Sequence, residues 1–555
     1  MATLVSVLRE RCITHPNKIF CRFIARDKEE CISYKMLIEN SAGYAHHYKC
    51  KGLKKGDSVI IILKHSPHLF YSFIGAMMIG AIPSILPFPS ERQDINLHRD
   101  SMEKLSQRIG AKSIVTYKEN LEEVNQIARD LGIDTVIPEQ IKFNKDVIWE
   151  DDIEENNIAF LQHSSGTTGL KRGVALSHKS VLSQLDNYAH PIKLDSKDVI
   201  ISWLPLYHDM GLIACFIVPL IKKIPLVMMD PFEWVVMPRI LFENAQKNKA
   251  TLCWLPNFAY NLLVRYIDTS NEKYDLSSFR AIIDCSEPCK AHSFEIFHNA
   301  FSKYGIKSET LQTCYAMAEN VFAITQSELG KKVRVDYVDK QSFVDKHYAK
   351  KADNKENAIN FLSVGKLIPN TEIKIVNDKR KDLAERYVGE ISVKTNCLFS
   401  GYFKLPEESA KVIEDGWFYT GDLGYYVDGE LYITGRKKDL IIVHGKNYYA
   451  HDIEYLANHI DGVKKGRCVA IGIYNDSIGS EEVILIAETE HQSQEASSRI
   501  IKDIKKRVSE DLNLLLKDVY LVPLKWLIKT TSGKISRKEN KRKYLKEKFK
   551  IDSED

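Results

Sequence analysis

Short apolar runs alternate with stretches of helical periodicity along the first half of the 555-residue chain. This alternation predicts parallel sheets covered by helices on both faces, because each strand returns across the sheet through a helix. The predicted strands are Ile19–Phe23, Ser58–Leu63, Ala81–Leu86, Ser113–Thr116, Thr135–Ile137, Ile158–Leu161, Val199–Trp203, Leu226–Met229, Thr251–Leu255 and Ala281–Cys285. The predicted helices include Tyr34–Tyr48, Leu121–Leu131 and Ser177–Tyr188. Ligands of such folds bind at the carboxyl ends of the strands.

The segment Glu328–Asn360 interrupts this rhythm with a polar, charged sequence that contains AKKADNKENA. Segments of this length without periodicity are usually functional or disordered, so we interpret it as an insertion. The strands predicted after it are Glu372–Val376, Val388–Lys394, Trp417–Thr420 and Leu431–Thr434. Because they are short and flanked by turn signals, they predict a small antiparallel β subdomain.

A separate α+β domain is predicted after the charged segment Arg436–Asp439. Its predicted elements are helices at Asp452–Asn458 and Ser498–Asn513 and strands at Gly466–Ile473 and Val483–Glu488. The basic stretch Lys525–Lys550 is typical of a solvated helix face. The predicted fold class is therefore α/β. It comprises a large N-terminal domain of doubly wound α/β subdomains plus a small antiparallel β subdomain, followed by a small α+β C-terminal domain.

Two apolar stretches, Leu69–Phe88 and Leu212–Met229, are long enough to be tested as membrane spans. Glycines and prolines interrupt the first, and Lys222 and Lys223 divide the second, so each predicts a helix, a turn and a strand. The N-terminal MATLVSVLRERC reaches charged residues too early for a signal peptide. We therefore expect a cytoplasmic protein with no integral membrane segment.

Composition narrows the possible functions. The 78 Lys and Arg residues against 74 Asp and Glu residues give a net charge of +4, too small for a general nucleic-acid binder. The 11 cysteines are scattered and odd in number, which indicates reduced thiols and not disulfides or a zinc site.

The stretch Phe160–His178 (FLQHSSGTTGLKRGVALSH) carries the clearest candidate chemistry. Its hydroxyl and glycine residues are Ser164, Ser165, Gly166, Thr167, Thr168 and Gly169, followed by Lys171 and Arg172. Glycines let the backbone approach an anion, hydroxyls and amides donate to phosphate oxygens, and cations neutralise the charge. A strand before the loop and a helix start after it predict a phosphate-binding arrangement. On these residues alone, a flexible surface loop is the alternative.

Five further motifs follow this loop in a specific order. They are Trp203–Ile213 (WLPLYHDMGLI), Tyr315–Glu319 (YAMAE), Gly416–Asp422 (GWFYTGD), Gly435–Ile442 (GRKKDLII) and Thr530–Arg537 (TTSGKISR). The ordered set, which spans essentially the whole chain, resembles that of adenylate-forming enzymes: acyl-CoA synthetases, luciferases and nonribosomal adenylation domains. Within that superfamily, LPNFAY at Leu255–Tyr260, Ser286–Pro288 and the inserted segment most resemble fatty acyl-AMP ligases.

The resemblance implies an ATP- and magnesium-dependent ligase that activates a medium- or long-chain fatty acid as acyl-AMP and releases pyrophosphate. The acyl group would then pass to the phosphopantetheine thiol of an acyl carrier protein; an acyl-CoA synthetase that uses free coenzyme A is the alternative. The implied domains are residues 1–436, with the insertion at about 328–362, and a mobile domain at residues 437–555. We expect a monomer with no nucleic-acid partner.

The resemblance also implies roles for individual residues. Ser164–Gly169 and Lys171 would hold the β- and γ-phosphates, and Thr167 and Glu319 would bind magnesium. Tyr315 would stack on adenine, and Asp422 would accept hydrogen bonds from the two ribose hydroxyls. The full set of remaining nucleotide contacts would be Tyr315, Ala316, Ser286, Glu287, Pro288, Asp422 and Arg436. Lys534 would stabilise charge at the α-phosphate, and Lys438 would be the hinge.

His208 matches a residue near the junction of the acyl and phosphate groups, although a satisfied core histidine is a close alternative. The walls of an acyl tunnel are predicted from Met210, Leu212, Phe258 and Met317, for which ordinary core packing is the alternative. The sequence argues against two other functions. A P-loop NTPase is excluded because Lys171 is followed by Arg172 and not by Ser or Thr. A catalytically inactive scaffold is disfavoured by the intact Lys534, Glu319 and Asp422.

Overall fold

The sheet that carries most of the predicted site has nine strands among the described residues. In spatial order they are Lys366–Leu367, Ala323–Gln326, Leu311–Ala316, Ala281–Asp284, Leu252–Leu255, Ile200–Ser202, Leu226–Met229, Ile19–Ala25 and Lys28–Ser33. The strands from Leu311–Ala316 to Ile19–Ala25 are parallel, and those at both edges are antiparallel. The computed structural model describes residues 2–25, 28–89, 95–143, 146–164, 172–355, 358–443, 446–475, 478, 480–491, 493–512, 514–529 and 534–549.

A second sheet contains the strand that leads into the glycine-rich loop. Its strands in spatial order are Asp134–Val136, Ala111–Thr116, Ser58–Ile62, Ile82–Ile85, Ile158–Ser164 and Arg172–Ser177. All neighbours are parallel except the last pair, which is antiparallel. Helices pack around both sheets, as the alternating pattern predicts.

The helices of this larger part begin and end as follows. They are Leu4–Thr14, Tyr34–Cys50, His68–Met78, Ile95–Ile109, Leu121–Leu131, His178–Ala189, Val218–Lys222, Pro231–Val236, Ile240–Asn248, Asn257–Tyr266 and Ala291–Phe301. Their ends follow from local chemistry: the Ser177 hydroxyl accepts the Ser180 N–H at 3.0 Å and caps His178–Ala189, and the left-handed Gly132 terminates Leu121–Leu131.

An antiparallel sheet and the insertion follow. The sheet contains Thr371–Val376, Gly389–Thr395, Trp417–Val427, Ile413–Glu414 and Glu430–Arg436, with the helix Pro406–Val412 beside it. The insertion is an ordered unit in which Val335–Asp339 pairs antiparallel with Ala358–Leu362 and the helix Lys340–Lys346 lies between them in sequence. It therefore has secondary structure that its polar sequence did not predict.

The C-terminal part has its own core. Its elements are Leu440–Val443, Lys446–Tyr449, Ala450–Ala457, Cys468–Asn475, Ser480–Glu488, Gln494–Leu512, Asp518–Val522 and Arg537–Phe549. One apolar cluster draws all its buried members from Ile441 to Val519. The fold class predicted from the sequence is confirmed, whereas the boundary after residue 436 and the limits of the insertion remain predictions.

Most predicted strands and helices are present to within a few residues. Leu69–Phe88 forms a buried helix followed by a strand, and Leu212–Met229 contains a helix, a turn and a strand, as predicted. The sequence did not predict the π-helix Met210–Ile217. No helix in the described part of the chain is long and apolar enough to cross a membrane. The 11 cysteines, all of them described, are free thiols.

Candidate active site

The two strands that flank the glycine-rich loop in sequence, Ile158–Ser164 and Arg172–Ser177, pair antiparallel. Ser164 is the last residue of its strand and pairs with Arg172, the first residue of the returning strand. The apolar run after Arg172, for which the sequence predicted no element, pairs as the strand Arg172–Ser177, and the predicted helix then begins at His178. The other predicted phosphate ligands, Ser165, Gly166, Thr167, Thr168, Gly169 and Lys171, lie outside the described residues.

Arg172 contacts two protein side chains. Its guanidinium pairs with Glu408 at 2.7 Å and lies 5.1 Å from the centre of the Tyr402 ring. The Tyr402 hydroxyl in turn donates to Glu319 Oε1 at 3.1 Å. The sequence-based expectation that Arg172 neutralises an anion stays a prediction, and in this structure Arg172 packs against Tyr402, the residue that bonds Glu319.

Glu319 lies in a single 3₁₀ turn, Ala318–Asn320, after the strand that carries Tyr315. Burial raises the pKa of Glu319, and the Asp209 carboxylate raises it further, whereas Arg436 acts in the opposite direction. A carboxylate that is costly to charge in the protein alone is well suited to bind a cation, because the cation supplies the missing charge.

Tyr315, Asp422 and Arg436 form one hydrogen-bonded group. The Tyr315 hydroxyl donates to Asp422 Oδ2 at 2.7 Å, and Arg436 Nε pairs with Asp422 Oδ1 at 2.9 Å. Asp422 and Arg436 are direct cross-strand neighbours, which explains why motifs that are separate in sequence meet here. The Asp422 carboxylate raises the pKa of Arg436, and burial raises the pKa of the Tyr315 hydroxyl. The group is held in place before any ligand binds.

Ser286, Glu287 and Pro288 follow the strand Ala281–Asp284 at its carboxyl end. Ser286 has a φ of +70°, a left-handed conformation that is uncommon for a residue with a side chain and typical of functional turns. Glu287 Oε2 accepts the N–H of Phe258 at 3.1 Å, which joins this turn to the helix Asn257–Tyr266. Ala316 ends the adjacent strand.

Lys534 reaches this turn from the C-terminal part of the chain. Its ammonium donates to the Ser286 carbonyl at 3.2 Å, although the side chain is exposed. A second contact between the two parts lies nearby, where Lys290 pairs with Asp452 at 3.6 Å and lies 5.5 Å from the Tyr455 ring. The predicted lysine is therefore brought to the predicted nucleotide site.

His208 lies next to this site in a turn before the π-helix. Its ring meets the Tyr207 ring edge-on at 4.8 Å, and its backbone carbonyl accepts the Leu212 N–H at 2.8 Å. The following residue, Asp209, caps the π-helix through a 2.8 Å bond from the Met210 N–H. Burial raises the pKa of Asp209, and Lys534 and Arg436 act to lower it. The His208–Asp209 turn thus borders both cations of the site.

The sequence profile of the AMP-binding enzyme family matches residues 8–403, more than half of the chain. The chain belongs to the AMP-binding enzyme family. A Caulobacter vibrioides protein with the provisional name acyl-CoA synthetase is 29% identical to this chain. The alignment covers 93% of this chain and 91% of that protein. A medium-chain-fatty-acid–[acyl-carrier-protein] ligase of Moorena producens is 27% identical to this chain. The alignment covers 98% of this chain and 95% of that ligase.

A solved structure from work on the fatty acyl-adenylate ligases of E. coli and L. pneumophila superposes with a TM-score of 0.90 at 28% identity. The superposition covers 99% of this chain and 98% of the solved one. The resemblance to fatty acyl-AMP ligases that the motifs predicted is thereby confirmed.

In this AMP-binding enzyme, sequence reasoning missed three side chains that hold the site together. Asp209 stood inside a recognised motif but was not singled out, and Tyr402 stood outside every motif. Arg537 ends the TTSGKISR motif, and its guanidinium bonds Asp439 at 2.7 Å, Glu454 at 2.6 Å and the Ala470 carbonyl at 2.9 Å. Asp209 and Arg537 each lie inside a motif, which is the signal that the sequence offered, whereas nothing in the sequence marked Tyr402.

Proposed function

We propose that this enzyme joins a medium- or long-chain fatty acid to the α-phosphate of ATP and transfers the acyl group to an acyl carrier protein. The observation that carries the proposal is the meeting of Lys534 with the Ser286 carbonyl, beside the Tyr315–Asp422–Arg436 group. That meeting places a cation from the C-terminal part next to residues suited to a nucleotide. The named ligases among its relatives and solved neighbours support the same chemistry.

The described residues fit ATP and magnesium by their chemistry. Asp422 offers two acceptor oxygens for the ribose hydroxyls, and the neighbouring Tyr315 ring suits adenine. Among the described residues there is no cluster of three or more His, Cys, Asp or Glu that could hold a metal ion alone. Magnesium is commonly held by one or two carboxylates together with substrate phosphates, so Glu319 as the described carboxylate ligand fits that pattern.

Each of these groups would have a separate role in adenylation. Magnesium would neutralise the phosphate charge that develops as pyrophosphate leaves. Lys534 would stabilise the negative charge on the α-phosphate and the attacking carboxylate, because a cation aimed at the position where charge develops lowers the energy of the transition state. Asp209 would hold the Lys534 ammonium near this position, and Arg436 would hold the Asp422 carboxylate in place through their 2.9 Å ion pair. The glycine-rich loop would hold the departing phosphates.

The inserted segment supports an acyl carrier protein as the acceptor. Its Asp345 pairs with Lys446 at 2.8 Å, and its Phe343 ring lies 6.3 Å from the Tyr449 ring. Both partners lie in the strand Lys446–Tyr449, shortly after the predicted hinge Lys438. These contacts would oppose a free rotation of the C-terminal part, which the alternative, an acyl-CoA synthetase, needs for its second half-reaction.

The test is a direct comparison of acceptors. Purified enzyme is supplied with ATP, magnesium and decanoate, and thioester formation is measured with a panel of holo acyl carrier proteins and with free coenzyme A. Acyl transfer to a carrier protein and slow reaction with coenzyme A are expected. Efficient acyl-CoA formation would establish the alternative, and the absence of fatty-acid-dependent pyrophosphate exchange would overturn both.

A further inference from the structure

Two tryptophans stack face to face beside the candidate site. The indole rings of Trp203 and Trp234 have centroids 3.7 Å apart and an interplanar angle of 6°. Both side chains are buried, and neither indole N–H has a hydrogen-bond partner among the described residues. A buried tryptophan usually finds such a partner, and aromatic pairs usually prefer offset or edge-on geometry. The pair is therefore not explained as ordinary core packing.

Consecutive contacts connect this pair to Lys534. Lys534 contacts the Ser286 carbonyl, and the next residue, Glu287, accepts the N–H of Phe258. The Phe258 ring then meets both tryptophans edge-on, with centroids 6.1 Å from Trp203 and 6.4 Å from Trp234. Phe258 is 44% exposed although it belongs to a helix packed on the sheet, so one face of its ring borders open space.

The far side of the pair leads to an apolar surface. Trp234 points inward from the short helix Pro231–Val236, whose start is capped by Asp230. Three other side chains of that helix are exposed: Phe232 by 53%, Val235 by 52% and Val236 by 82%. Trp234 therefore lies between Phe258 and an exposed apolar patch formed by Phe232, Val235 and Val236.

We propose that the Trp203–Trp234 pair forms the far wall of the acyl tunnel and restricts this enzyme to medium-chain acids. The inference rests on the proposed function, since it assumes that the acid's carboxylate lies at Lys534. A chain anchored there would pass Phe258 and then meet the two indoles, which block its path and so limit the length of the acid that fits. Loss of the Trp234 indole would join the tunnel to the apolar patch and let longer tails pass outward.

The first test measures pyrophosphate release over the saturated acids from hexanoate to octadecanoate. The full-length wild type is compared with Trp234→Leu, Trp234→Phe and the control Phe301→Leu. Phe301 is equally buried but packs against Phe242 and Phe297, away from the tryptophans. Thermal denaturation of each variant reports folding independently of activity.

The wild type should prefer acids near decanoate. Trp234→Leu should raise the kcat/KM ratio of hexadecanoate to decanoate by about tenfold or more, since each methylene accepted or rejected by an apolar pocket changes that ratio about 10-fold to 200-fold. Trp234→Phe should give a smaller change and Phe301→Leu none. If the wild type uses hexadecanoate as well as decanoate, or if Trp234→Leu and Phe301→Leu have the same chain-length profile, the tryptophan pair does not limit chain length. The proposed function would be unaffected by either result. No adenylate with any acid would overturn the function itself.

A second test locates the end of the chain without turnover. Bromine quenches indole fluorescence on contact, so decanoates brominated at the ω or the α carbon are titrated into the wild type, Trp203→Phe and Trp234→Phe. The ω-bromo acid should quench the wild type, and the quenching should fall in both variants. Quenching by the ω-bromo acid that is unchanged in both variants would contradict the placement of the chain end.

Discussion

The nucleotide side of the candidate site and the lysine that reaches it are held in very different ways. Asp422 is buried and receives two short bonds, from Tyr315 at 2.7 Å and from Arg436 at 2.9 Å. Lys534 is exposed, comes from a separately packed part of the chain and meets a backbone carbonyl at 3.2 Å. Short internal bonds hold the first region together, whereas Lys534 reaches it from a separately packed part of the chain.

This difference indicates that the two regions act on different steps, one on nucleotide binding and the other on the adenylation reaction itself. A preorganised group costs little to reorder when a nucleotide binds, so its residues should act mainly on nucleotide affinity. A cation on an element that can withdraw should act on the chemical step and leave the bound nucleotide largely unaffected. Substitutions on the two sides should therefore change different kinetic constants.

The largest effect is expected from Lys534→Ala. Loss of a cation aimed at developing charge should lower kcat for adenylation by about 10²-fold to 10³-fold, while the KM for ATP changes little. Pyrophosphate exchange measures this step, and transfer from supplied acyl-adenylate should continue at the wild-type rate. Lys538→Ala, an exposed neighbour, is the control. A large rise in the KM for ATP would contradict the assignment of Lys534 to the adenylation step.

Glu319→Gln is expected to come next. The amide keeps the acceptor for the Tyr402 hydroxyl but loses the charge that would attract magnesium, so the adenylation rate should fall by about 10²-fold at ordinary magnesium concentrations. A titration of activity against magnesium should show a higher half-saturating concentration. Tyr402→Phe, which loses only the orienting bond, should show the same change to a smaller extent. Unchanged magnesium dependence would remove Glu319 from the metal site.

Asp422→Ala should weaken ATP binding. Hydrogen bonds to a charged group contribute about 1.5–3 kcal/mol each, so the KM for ATP should rise by about 10-fold to 100-fold, with kcat less affected. Initial rates over a range of ATP concentrations measure both constants. Tyr315→Phe, which removes one donor and keeps the ring, should have a smaller effect. A fall in kcat with an unchanged KM for ATP would show that Asp422 acts on the chemical step and not on nucleotide binding.

Arg537→Gln tests how the lysine is positioned. The guanidinium ties the start of the last helix to Asp439, the residue after the predicted hinge, and to Glu454. Its loss should lower kcat for adenylation by about tenfold, because charge-assisted bonds that orient the Lys534 loop disappear. Transfer from supplied acyl-adenylate should be unaffected, and Arg537→Lys should recover part of the rate. Equal loss in both half-reactions would indicate a general folding defect.

The smallest effect is expected from Asp452→Asn. The Lys290–Asp452 pair is partly exposed, and such pairs contribute about 0–1 kcal/mol, so adenylation should slow by no more than about fivefold. The effect should shrink as salt is raised, because exposed charges are screened. An effect as large as that of Lys534→Ala would show that docking of the C-terminal part, and not the lysine itself, limits the reaction.

The sequence by itself determined the order of strands and helices and the residues that belong to the candidate site. Both depend on neighbours along the chain: the strand runs from Ile19–Ala25 to Ala281–Asp284 follow from local apolar periodicity, and the motifs keep Tyr315, Glu319, Asp422 and Lys534 in recognisable surroundings. The helix Leu121–Leu131 was predicted to the residue because its periodicity and Gly132 are local signals.

Only the tertiary structure decided which side chains meet. The strand after the glycine-rich loop, the engagement of Arg172 by Glu408, the Tyr402–Glu319 bond and the Trp203–Trp234 stack each join residues from separate elements. Such contacts depend on how sheets and loops pack, and apolar periodicity specifies a buried face without specifying its partner. The sequence therefore names the candidate groups for the chemistry, and packing decides how they are held.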